Sequence, residues 1–444
     1  MPPNLEIPGS YYIAVAIGLF LFIEAASKLH RNWAIPALMV YLTIGMWYFT
    51  ELLYTPERLA VFSTSILEQG YYQVCIFLIA FRSFLPSISD YIGKNSYKVA
   101  SFNWFTLNPH RLLQVLAVIW VILFIYGVSR LDWNFSQALV PLGGRWAPRL
   151  WNRGGVGQGT DFIVSAAGYT YSLVCALFGV LFFFQRKPSA KAINLILIII
   201  TWPAFYLSGT RNIFLGVVMP AYMTYVLTSR HKWWMKAIIS VGVFALINYL
   251  MLIAISFRNT GIDAYFQGAA TLSSETKHQG LNMAEELFYI NRFYEQRQLI
   301  LQYGFDYWAE ALNIIPRFIF PDKPSIGYEY NVLRSTGSGI QATIAAGLIG
   351  RGVMNFGPWF GPVIPGILMA IWAGFLARLW TQRRSILRLG LFLVGLGITP
   401  NLGRDITLLV LWPMVFGYVV VRYLETLERR RSVKIANRPN YHNV

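Results

Sequence analysis

Apolar runs of membrane-crossing length alternate with short polar connectors along almost the whole chain: 11–28, 33–53, 70–90, 111–129, 162–184, 192–208, 212–228, 237–256, 356–378, 387–400 and 406–424. A bilayer core asks for about 20 apolar residues per helix, and these runs meet or approach that length. They predict an all-α polytopic membrane protein, one integral domain over residues 1–444 with about eleven transmembrane helices. The first run carries no basic segment before it and no small-residue cleavage site after it, so it is expected to be a retained span.

Two connectors are far longer than the rest, about 130–161 and 257–355, and loops of that length are functional or disordered. The first sets Gly143, Gly144, Gly154, Gly155, Gly157 and Gly159 among Arg145, Arg149 and Arg153. It matches no phosphate-loop motif and reads as a mobile basic lid. The second has its own periodicity. Leu287, Phe288, Tyr294 and Leu299 mark an amphipathic helix over 281–303, stopped by Gly304, on which Arg292 and Glu295 share a face. A second helix over 306–315 ends at Pro316, and the proline-bracketed turn 316–324 presents Arg317, Asp322 and Lys323. The glycine-rich run 337–357 is too short and broken for a span and reads as a re-entrant or half-buried segment.

Composition confirms the class: 56% of residues are hydrophobic, 13% are charged and the mean hydropathy is +0.47, which excludes a water-soluble domain of this length. Cys75 and Cys175 lie inside apolar runs as small core residues, and no Cys/His grouping has metal-ligand spacing. Neither a metal nor a cofactor is expected.

Charge then orients the chain. Lys28 and Arg31, Lys94 and Lys98, Arg186, Lys187 and Lys191, Arg230, Lys232 and Lys236, Arg383, Arg384 and Arg388, and the Arg429–Arg431 tail all fall on one side. The positive-inside rule makes that side, with the C-terminal end, cytoplasmic. The pI of about 9.8 is therefore a topology signal and no sign of nucleic-acid binding. Eight of the ten lysines lie inside, whereas arginines 58, 130, 145, 149, 153, 211, 258, 292, 297, 317, 334, 351 and 404 lie outside. Several, such as Arg130, Arg149 and Arg334, read equally well as headgroup-level caps. A planar, permanently charged guanidinium is nevertheless the group that grips phosphate bidentately.

Ser208-Gly209-Thr210-Arg211-Asn212 interrupts an otherwise continuous apolar run from Leu195 to Leu227. An arginine there is costly unless it faces a polar cavity or an anion, the plainer reading being a side chain that snorkels from a tight hairpin. The small residues let a headgroup approach the backbone, and the following helix aims its N-terminus at the same spot.

In these motifs the chain resembles the oligosaccharide repeat-unit polymerases, the Wzy-type O-antigen and enterobacterial-common-antigen polymerase group. The resemblance rests on 208–212, on Ile-Pro-Arg-Phe-Ile-Phe-Pro-Asp-Lys-Pro at 315–324, on Asn355-Phe356-Gly357 opening a Gly/Pro-rich span, and on the layout of spans from about 110 to 425. One departure stands out: family members often carry a glutamate four residues before Asn-Phe-Gly, and here that position is Arg351.

The resemblance implies a glycosyltransferase of the bacterial inner membrane that needs neither nucleotide sugar nor metal. It would move a nascent glycan from undecaprenyl pyrophosphate to the terminal sugar of another carrier-linked repeat at the periplasmic face. A chain-length regulator is a candidate partner. The expected pyrophosphate ligands are Arg211, Arg258, Arg292 and Arg317, with Arg351 and Arg404 next. The acceptor hydroxyl needs a general base, for which Glu295, His278 and Asp322 are the candidates. Glu295 stands first because its helix can be held rigidly, while a lone loop histidine such as His278 is more often solvated surface. The outer aromatics read as belt anchors and loop core, with sugar stacking as the alternative. Two other functions compete. An O-antigen ligase performs the same pyrophosphate-leaving chemistry on a different acceptor. A lipid-linked oligosaccharide flippase also needs arginines, but transporters show repeats and mid-membrane charges, and neither is visible here.

Overall fold

The computed structural model describes residues 6–54, 56–94, 109–144, 147–151, 161–207, 211–267, 283–312, 315, 319–322, 327–335, 345–383, 385–406, 411, 414–423 and 426. Everything regular in it is helical; the one β feature among the described residues is an isolated bridge between Gly143 and Gly261. Among the described residues, seven helices are long and apolar enough to cross a bilayer, and four shorter apolar helices, Ile213–Thr228, Trp233–Ile247, Ile386–Leu402 and Met414–Tyr423, accompany them. This is a multi-pass α-helical membrane protein.

The helices are α1 (Gly9–Ser27), α2 (Ala34–Ile44), α3 (Thr64–Lys94), α4 (Pro109–Ser129), α5 (Asp161–Phe184), α6 (Pro188–Leu207), α7 (Arg211–Thr228) and α8 (Trp233–Thr260). Four short helices follow, α9 (Met283–Glu295), α10 (Phe305–Leu312), α11 (Tyr328–Ser335) and α12 (Leu348–Phe356), before the long α13 (Val363–Thr381) and α14 (Ile386–Leu402). α2 runs on through a π-helical turn, Gly45–Phe49, into Glu51–Tyr54.

Bundle packing depends on small residues, as expected where lipid offers no hydrophobic drive between helices. Gly366 of α13 lies against Phe77, Ala80 and Phe81 of α3, and Gly374 lies against Ile88, Ser89 and Ile92, so the two backbones run in close contact. Gly216 of α7 faces Ile398 of α14, while Gly397 faces Met219 and Pro220. Leu19, Phe20 and Ile23 on α1 and Ile193, Ile196 and Ile199 on α6 are exposed, the pattern of lipid-facing surfaces. Cys75 and Cys175 are buried free thiols, as their apolar surroundings in the sequence imply.

Two sequence expectations are corrected. The helix expected over 281–303 stops at Glu295, because Arg297 takes a left-handed backbone (φ 55°) and the chain turns. The run expected as a span over 356–378 is a helix only from Val363: Gly357, with φ 84°, ends α12, and the chain re-enters helix after Pro362. The described part of 337–357 agrees with the half-buried expectation: residues 348–356 form a short helix buried against protein. In the first long connector the described residues are anchored: Arg149 Nη2 donates to Gly144 O at 2.9 Å, Arg130 Nη1 to Leu150 O at 3.1 Å, and Trp151 packs on Gly127 and Gly168. Those two arginines thus donate to carbonyls of their own connector. Residues 152–160, with the rest of the expected lid, lie outside the described residues.

Candidate functional site

Several described connectors and helix ends are bonded to one another. Trp47 in the π turn donates its Nε1 proton to Pro400 O at 2.6 Å, and Leu348 N donates to Gly403 O at 3.3 Å. Glu285 N donates to Glu51 Oε2 at 2.9 Å, and Ile262 N donates to Leu142 O at 2.7 Å. Reciprocal amide bonds of 2.8 and 2.9 Å between Gln73 and Asn291 fasten α9 to α3. The helices α9–α12 therefore form a roof bonded to the ends of the spans.

Two carboxylate–guanidinium centres hold this roof. In the first, Glu286 is 2% exposed and receives Arg334 Nε and Nη2 at 3.0 Å each, together with the Tyr330 hydroxyl. Arg334 also lies over the Tyr289 ring at 3.6 Å. Glu285 stands beside it, with Arg58 and Arg334 each 3.6 Å away and the Glu51 carboxyl against it. Burial pushes the Glu285 carboxyl up from its usual value, Glu286 adds to the rise, and the two arginines oppose it.

The sign of that shift sets a prediction. A carboxyl raised in the folded protein holds a proton that the unfolded chain releases, so its stabilising contribution is present below the ordinary value of 4.5 and is lost as pH rises through the raised value. Glu285→Gln is expected to raise the thermal midpoint at pH 8 more than at pH 5. Equal midpoint changes at both pH values in detergent-solubilised protein would contradict the shift.

The second centre is built on Arg351, 2% exposed inside α12. Its Nη1 donates to Asp405 Oδ1 at 3.0 Å and to Ile406 O at 2.9 Å; its Nη2 donates to Asp306 O at 2.9 Å and to Glu310 Oε2 at 3.3 Å. The Tyr307 ring covers it at 5.0 Å. Asn355, one turn on, accepts from Asp306 N at 3.1 Å and so satisfies a first-turn donor of α10. Phe356 stacks on Tyr307 and Gly357 ends the helix, which gives each residue of Asn-Phe-Gly a structural role. Position 351 thus supplies a guanidinium, and the acids around it come from α10 and from the connector after α14.

That connector is the open edge of the site. Arg404 is exposed, and Asp405 has one fifth of its side chain exposed. α7 and α14 run antiparallel in the register set by Gly216 with Ile398 and Gly397 with Met219. The start of α7 and the end of α14 therefore lie at the same end of this helix pair. Burial pushes the Asp405 carboxyl up, against the opposing pull of Arg351.

The remaining expected site residues divide as follows. Arg292 is half-buried and Glu295 exposed, and no ion pair joins them among the described residues. Asp322 is exposed. Arg258 lies in the last turn of α8, just before the Gly143–Gly261 bridge; its side chain and that of Arg211 are outside the described residues, as are His278 and Arg317 entirely. Tyr303, Trp308, Phe266, Trp133, Trp359 and Phe360 are exposed at this end, while Tyr330 is buried and Tyr294 donates to Met354 O at 2.8 Å. Sequence reasoning missed Glu51, Glu285, Glu286, Glu310 and Asp405. A signal existed for the acid pair Glu285-Glu286 on an apolar-faced helix, and for Asp405 beside Arg404 in a very short connector.

Comparison with protein-family models, curated proteins and solved structures returns no match for this chain.

Proposed function

We propose that the chain is a lipid-linked oligosaccharide polymerase, a glycosyltransferase whose donor is a glycan on undecaprenyl pyrophosphate. In this reading the chain spans a bacterial inner membrane about eleven times, with the lysine-bearing connectors and the C-terminal end in the cytoplasm and the roof in the periplasm. One observation carries it: the exposed Arg404 adjoins Asp405, whose carboxylate belongs to a buried carboxylate–guanidinium centre at the end of α14, the helix that packs on α7. A lipid pyrophosphate keeps its tail in the bilayer and its charge at that height. Fixed cations and a helix N-terminus facing it stabilise the developing negative charge of the leaving group. Arg211 and Arg404 are the proposed ligands, with Arg258, Arg292 and Arg317 as further candidates from the same end. Arg351, enclosed by Glu310 and Asp405, acts from behind as the clamp that shapes the rim.

The test is genetic and chemical together. Cells of the source strain that lack the chain are expected to display surface glycans of a single repeat in place of a polymer ladder, with the ladder restored by the wild-type chain. Loss of all glycan from the surface lipid, single repeats included, would point to the ligase reading instead. Accumulation of carrier-linked repeats on the cytoplasmic side would point to a flippase.

A further inference from the structure

Resting on the reading above, we infer that Asp405 is the catalytic base that takes the proton of the acceptor hydroxyl, held in position by Arg351. The argument is geometric. Asp405 Oδ1 is fixed by Arg351 Nη1 at 3.0 Å, and Arg351 is in turn held by Glu310, by the Asp306 and Ile406 carbonyls and by the Tyr307 ring. Among the described residues the other oxygen, Oδ2, accepts no hydrogen bond, and a fifth of the side chain is open to the rim. A carboxylate with one oxygen locked and the other presented is the arrangement of an oriented base.

Its place relative to the leaving group fits as well. Asp405 follows Arg404 directly in the connector after α14, so one short segment offers a cation for pyrophosphate and a base for the acceptor. Burial raises its carboxyl, which increases its basicity, and the groups facing it are Arg351, Asp306 and Arg404. The other acids at this end are less suited. Glu286 is enclosed by Arg334 and Tyr330, Glu310 is turned onto Arg351, and Glu295 and Asp322 are exposed with no partner orienting them among the described residues.

The step balances without a co-reactant. Asp405 takes the proton from the acceptor hydroxyl as its oxygen bonds to the anomeric carbon of the donor. The bond from that carbon to the pyrophosphate oxygen breaks, and its electron pair leaves on the pyrophosphate beside the arginines. The proton on Asp405 is later lost to water.

The experiment uses the full-length protein in nanodiscs of phosphatidylethanolamine and phosphatidylglycerol, with the strain's own carrier-linked repeat as substrate and undecaprenyl pyrophosphate as the binding probe. Asp405→Asn keeps an acceptor oxygen for Arg351, so it is expected to bind the probe within threefold of wild type while chain extension falls about 100-fold or more. Arg351→Lys is expected to lower kcat with little change in KM for the acceptor. Extension by Asp405→Asn within threefold of wild type overturns the assignment. Should Asp405→Asn fail to reach the membrane, Asp405→Glu decides. Retention of a tenth or more of the rate supports the assignment, and a folded, probe-binding but inactive Glu variant overturns it. If the wild-type protein neither binds the probe nor extends chains, the polymerase reading itself fails, a result distinct from any of these.

Discussion

Replacing Arg351 by alanine is expected to destabilise the protein by about 3–5 kcal/mol, the range for removing one partner of a buried ion pair. The cause is the company Arg351 keeps. Asp405 and Glu310 would be left with no guanidinium between them, the Asp306 and Ile406 carbonyls would lose their donor, and Tyr307 would lose its cation. Because this side chain and Asn355 tie α10, α12 and the connector after α14 together, the roof should loosen as a unit. A thermal melt of purified Arg351→Ala checks this. A midpoint within 2 °C of wild type would show that the centre contributes little; about 1 kcal/mol already moves the midpoint of a 150–250-residue domain by roughly 2–4 °C.

The second large effect is functional. The double variant Arg211→Ala, Arg404→Ala is expected to lose polymer formation by about 100-fold or more, with its melting temperature nearly unchanged. Arg404 is exposed and Arg211 is the first residue of α7. The polymer ladder in complemented cells, normalised to the amount of protein in the membrane, is the readout. A normal ladder would remove both residues from the site.

These two variants separate what the sequence made legible from what it did not. Span positions were readable because an apolar run of bilayer length has one stable form, so α4, α6 and α7 begin and end within a few residues of the expected limits. Boundaries failed where a backbone torsion decides: nothing in the pattern after Glu295 announces the left-handed Arg297. The arginines were legible as a class through their asymmetry with lysine, but not their individual roles. In the sequence Arg351 reads as a phosphate ligand like Arg404, and only the fold places two carboxylates around it. Glu51 and Glu285, 234 positions apart in sequence, become neighbours because the π turn at the end of α2 and the start of α9 meet under the roof. Long-range pairings of this kind leave no local periodicity to read. The Asn-Phe-Gly motif shows the converse, since its three residues act on α10, Tyr307 and their own helix end, and its meaning follows from the contacts.

Most directly, the central claim is tested by titrating undecaprenyl pyrophosphate against nanodisc-embedded wild-type protein and the Arg211→Ala, Arg404→Ala double variant, with undecaprenyl monophosphate as the comparison ligand. The account predicts preference of the wild type for the pyrophosphate and a loss of about tenfold or more in the double variant, as expected for charge-assisted contacts worth about 1.5–3 kcal/mol. Equal affinity of wild type and double variant for the pyrophosphate would contradict it.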